Sequence, residues 1–144
     1  MTELLRRKHV DFLVEQFWRK GYLTLSRKFG TYLPEPNSVG GFDVDVVARQ
    51  KNKYAIGLTV AEDDLKNPNS LLGKIKYLAT RHTRRGNFPV LLFIGVKADN
   101  FVQVKLLIEQ IEEDVQKNIR MFQIVEKFPI SRRRNSEKLR PLFS

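Results

Sequence analysis

The chain has no cysteine, which rules out disulfides and any thiolate zinc site. Histidine occurs twice, at His9 and His82, too sparse for a His-rich metal centre. The missing cysteine fits an intracellular protein, and a cytoplasmic location is the expectation. Long hydrophobic runs are also missing. The longest, Val90 to Val96, falls far short of the roughly 20 residues that span a bilayer. Met1 to Lys8 is charged and has no apolar stretch, so neither a secretory signal nor a membrane partner is expected. Negative charge is in short supply too: 16 Asp and Glu stand against 26 Lys and Arg, a net charge of +10.

What is present is a globular composition, 42% hydrophobic and 29% charged over 144 residues. That length suits one core and one domain, expected over residues 1–130, with a basic tail at 131–144. The excess of cations suggests a polyanionic partner, nucleic acid and DNA first. A solvated lysine-rich surface is the plainer reading.

Periodicity predicts the elements. Leu5, Val10, Leu13, Val14 and Phe17 recur at helical spacing over Glu3 to Lys20, and Gly21 stops that helix. Strands are expected over Tyr22 to Lys28, Phe42 to Arg49 and Tyr54 to Val60, the last two joined by a Gln50-Lys51-Asn52 turn. Asn67-Pro68 is a helix start, and that helix is expected to run to about Arg85 with Gly86-Asn87 as its stop. Pro89 to Val96 reads as a strand buried on both faces. A third helix, capped by Asp99 or Asn100, carries Phe101, Val104, Ile108, Ile111 and Val115, and Met121 to Lys127 closes as a strand. The order is α-β-β-β-α-β-α-β. It implies an α/β fold with a mixed central sheet and helices on both faces.

Within this frame Asp43 and Asp45 carry the chemistry. Strict alternation puts both carboxylates on one face, with Val44 and Val46 on the other. Two neighbouring carboxylates repel, so a cation between them or a proton on one of them is expected. Capping of the glycine-rich turn, or pairing with Arg49 or a helix arginine, would answer the same need.

The element order and the stretch Phe42-Asp43-Val44-Asp45-Val46-Val47-Ala48-Arg49 resemble the PD-(D/E)XK nuclease superfamily, its restriction-endonuclease-like and archaeal Holliday-junction-resolvase-like members above all. The resemblance covers roughly residues 3–96. It implies that Asp45 is the metal-binding Asp of the second strand and Asp43 the acidic residue two positions earlier. Asp11 and Glu15 lie where some members add a ligand from the first helix. By register, Gly57 stands where the family has Glu or Gln, and Thr59 where it has Lys. Working members use Mg²⁺ or Mn²⁺, and the missing carboxylate and lysine imply a weakened or inactive site. Migrated groups would restore activity: Glu62, or its neighbours Asp63 and Asp64, as the carboxylate, with Lys74 or Lys53 as the cation. The candidate catalytic set is therefore Asp45, Asp43, Glu62 and Lys74, and the candidate metal set is Asp45, Asp43 and Glu62.

The candidate phosphate contacts are Arg81, Arg84 and Arg85, with Arg132, Arg133 and Arg134 in the tail; a solvated helix end and an unspecific electrostatic tail are the alternatives. Tyr32 and Phe42 are candidate base contacts, with core packing the default. The acidic side of the third helix, Glu109, Glu112, Glu113 and Asp114, faces away from any such partner. The expected function is a nuclease-like nucleic-acid-binding domain. An active metal-dependent endonuclease and a vestigial nuclease fold serving dimerisation, as a homodimer, are the alternatives.

Overall fold

A computed structural model describes residues 2–125 of the chain. Helix α1, Glu3–Arg19, begins where the Thr2 hydroxyl accepts the Leu5 N–H at 3.2 Å. It ends at Gly21, whose φ of +87° suits glycine. Strands β1 (Leu23–Arg27), β2 (Val46–Gln50), β3 (Lys53–Val60), β4 (Leu91–Lys97) and β5 (Ile119–Ile124) form one sheet in the order 1-2-3-4-5. Strand β2 runs antiparallel to both of its neighbours, β1 and β3, whereas β3, β4 and β5 run parallel. Each parallel step is bridged by helix: η1 (Glu62–Lys66) and α2 (Pro68–Ala79), then α3 (Ala98–Ile108) and the single turn α4 (Glu113–Gln116). The expected α/β class, element order and mixed sheet are all present.

Two cores lie on the two faces of the sheet. On one, Val10, Leu13 and Phe17 of α1 cover Val46, Ala48, Ala55 and Phe93, with the Phe17 and Phe93 rings stacked at 4.2 Å. On the other, α2 and α3 cover Ile56, Leu58, Val60 and the even-numbered residues of β4. Strand β4 is buried on both faces, which is why it reads as an unbroken apolar run. No helix among the described residues is long and apolar enough to cross a membrane.

Most strand ends fall within two residues of expectation, and three larger or more consequential differences bear on the site. Helix α2 stops at Ala79, not near Arg85. The Thr80 hydroxyl donates to the carbonyls of Lys76 (2.9 Å) and Tyr77 (3.0 Å), and Arg81 Nε donates to the latter at 2.9 Å, so the last turn is capped by side chains. Residues 80–90 then fold back as a loop, closed by a His82–Pro89 bridge and by Thr83 N–H on the Phe88 carbonyl at 2.9 Å. The third helix ends at Ile108, although Ile111 remains buried as expected.

The third difference is that β2 begins at Val46, not Phe42. Val46 is the register partner of Gly57, yet the Asp45 N–H also donates to the Gly57 carbonyl at 2.9 Å. Two residues opposing one is a β-bulge. Across it the alternation slips, so Val44 enters the α2 core and Val46 the α1 core, where a regular strand would have kept them together.

Candidate functional site

The bulge aims the Asp45 side chain at Thr59. Asp45 is only 5% exposed, and its Oδ2 accepts both the Thr59 N–H (2.7 Å) and the Thr59 hydroxyl (2.9 Å). Lys28, just past β1, donates its own N–H to the Asp45 carbonyl at 2.9 Å. Its ammonium lies 3.7 Å from Asp45 Oδ1 and 3.8 Å from Asp43 Oδ2. The carboxylate pair has its cation: a lysine, from a strand end that the sequence pattern did not single out. Neither Arg49 nor a helix arginine takes that place. Arg49 instead bonds the Lys51 carbonyl at 2.7 Å.

Gly57, where the resemblance places a metal-binding carboxylate, lies under α1. A Cβ there would come within 2.8 Å of the Phe17 ring, 2.9 Å of Leu13 and 3.0 Å of Val46. The space of that side chain is occupied by the core. The other expected contributors are dispersed. Asp11 pairs with Arg27 and Glu15 with Arg19, so the first helix directs its acids elsewhere. Glu62 opens η1 on the surface, where Asp63 pairs with Lys66 at 3.2 Å and Asp64 accepts the Ala61 N–H at 2.8 Å. Lys74 is half-buried on α2, and no ion pair joins it to Asp43 or Asp45 among the described residues. No three acidic or histidine side chains gather into a metal-holding group among the described residues.

As they stand, these groups do not fit Mg²⁺ or Mn²⁺. One oxygen of the buried carboxylate is spent on two donors, the other faces an ammonium, and the remaining carboxylate, Asp43, is exposed. Mg²⁺ is commonly held by one or two carboxylates with waters completing its shell, and here the buried carboxylate is turned to Thr59 and Lys28 instead.

The basic candidates assemble elsewhere. Arg81, Arg84 and Arg85 line a groove of about 810 Å³ together with Arg49 and Lys51. Arg81 is fixed, its guanidinium lying 3.7 Å from the centre of the Tyr77 ring. Arg84, Arg85 and His82 are exposed on the 80–90 loop. Phe42 packs against Tyr77 at 5.3 Å, the packing role held as its default, and Tyr32 is 95% exposed away from the groove. Arg132, Arg133 and Arg134 lie outside the described residues. The groove sits at the hairpin end of β2 and β3, on the face that bears Val47 and Ile56. Asp45 sits at the opposite end and faces Thr59, four residues and about 13 Å of strand away from Arg49. A scan of the chain against models of known protein families gave no match, and a search of curated proteins gave none either.

Proposed function

We propose that this chain is a nuclease-like nucleic-acid-binding domain, restriction-endonuclease-like in topology, whose carboxylate site is held by a lysine in place of a metal. The observation that carries the reading is the Lys28 ammonium between Asp43 and Asp45, with Thr59 filling the buried Asp45 oxygen. The α-β-β-β-α-β order, antiparallel through β3 and parallel after it, supports the nuclease-like part. The net charge of +10 and the arginine-lined groove support the binding part.

Chemically, the site buries one carboxylate, leaves the other exposed and sets an ammonium between them. The Asp45 Oδ2 is engaged by the Thr59 N–H and hydroxyl and its Oδ1 faces the Lys28 ammonium, so Asp45 fixes the bulge and Lys28 offsets its charge. The decisive experiment incubates the protein with linear and branched DNA in Mg²⁺ and in Mn²⁺. The expected outcome is binding without cleavage in either metal. Cleavage that Asp45→Asn abolishes would replace this reading with the active endonuclease, and absence of binding at low salt would remove nucleic acid altogether.

A further inference from the structure

We infer that the groove between the β2–β3 hairpin and the 80–90 loop binds an unpaired polynucleotide strand, one base on its apolar floor and the flanking phosphates on its arginine rim. This deepens the nucleic-acid reading above and rests on it. The rim carries five permanent cations, Arg49, Lys51, Arg81, Arg84 and Arg85, and no acidic side chain lines the groove among the described residues. The floor is apolar: Val47, Ile56 and Val90 from the sheet and the end of the loop. Phe88 stands at the margin, 45% exposed, although it is a large apolar side chain.

That combination decides between a duplex and a single strand. A duplex keeps its base faces stacked inside the helix and offers a protein only phosphates, sugars and base edges, so it would use the rim and leave the floor and Phe88 idle. An unpaired strand offers phosphates and bare base faces together, and aromatic side chains stack on bases whatever their sequence. The volume, about 810 Å³, lies within the roughly 300–1,000 Å³ of sites that take small organic ligands. DNA and RNA strands share this chemistry.

The groove and Asp45 lie on opposite faces of the β2–β3 hairpin as well as at opposite ends. Val47 and Ile56 line the groove, whereas Gly57 and Thr59, of the other parity, face the α1 side. A strand seated in the groove therefore does not present its backbone to the carboxylates, and binding there is independent of the Asp43–Lys28–Asp45 site.

Fluorescence anisotropy at low salt tests this on the full chain, with labelled oligothymidine, oligouridine and a hairpin duplex as probes. Circular dichroism confirms the folding of each variant. Expected is tighter binding of at least one single strand than of the duplex. Phe88→Ala should weaken single-strand binding about tenfold, as expected for loss of one base-stacking aromatic, and leave duplex binding unchanged. Arg84→Ala with Arg85→Ala should weaken both, whereas Lys105→Gln on α3 should alter neither. If no probe binds, the nucleic-acid reading itself fails. If strands bind but the groove variants leave affinity intact, binding lies elsewhere and this inference is overturned. Tighter duplex binding overturns the single-strand assignment. A change from dimer to monomer in the groove variants, seen by light scattering with nucleic-acid affinity intact, makes the groove a contact for a second copy and overturns it as well.

Discussion

At the scale of single residues, Gly57 and Lys28 decide what the carboxylate site is. Gly57 permits the close approach of α1 to β3, with the space beyond its Cα filled by Phe17, Leu13 and Val46. Placing a carboxylate there by Gly57→Glu should therefore destabilise the fold, by at least the ~1–3 kcal/mol typical of overpacking. It should confer no metal-dependent cleavage; a urea midpoint equal to the parent's would show that the position has room. Tyr22 offers a second test of the same core. It is buried against Phe17 and Phe93, and burial pushes its phenol above its ordinary pKa, the nearby Arg120 partly offsetting this. A phenol raised in the folded state favours the fold while it stays neutral, so that stability is present below its ordinary pKa and is lost as pH rises through the folded value. Urea midpoints measured from about pH 9 to about pH 11 should fall for the parent and fall less for Tyr22→Phe.

At the scale of elements, the legible parts were those in which one pattern rules a whole segment. The apolar stripe of α1, the Asn67-Pro68 start of α2 and the doubly buried β4 each follow from local periodicity or capping. The errors fall where a side chain competes with the backbone. Thr80 and Arg81 end α2 by taking its carbonyls, so the arginines beyond it belong to a loop and not to a helix end. At Asp45 a bulge moves the strand start to Val46 and reverses the facing of Val44, because the Asp45 carboxylate takes the Thr59 N–H. A bulge leaves no periodic trace in the sequence. The need of Asp43 and Asp45 for a shared cation was legible, but not their placement ahead of β2 or their partner Lys28, which meets them only through the pairing of β1 with β2.

At the scale of the whole molecule, charge and its placement set the behaviour towards a polyanion. Clustering matters more than the total: five cations share one groove, whereas the acids Glu109 and Glu112 lie in the junction between α3 and α4 and Glu113 opens α4. If the groove cations neutralise about four phosphates of a single strand, log K should fall with log salt at a slope near −3, from about −0.7 per phosphate. A slope near zero in a salt titration would mean that the net charge of +10 is not used on nucleic acid.

The sequence by itself determined the class of fold, the order of its elements, the two apolar faces of the sheet and the surplus of positive charge. All of these depend on composition and on spacing within a segment, which the chain carries wherever it goes. The tertiary structure decided which groups meet. It brought Lys28 from one strand end to the carboxylates of another, closed α1 over Gly57, and set the arginines of the 80–90 loop beside Arg49 and Lys51. These are contacts between residues far apart in the chain. They exist only once strand register, bulge and helix ends fix where each side chain stands.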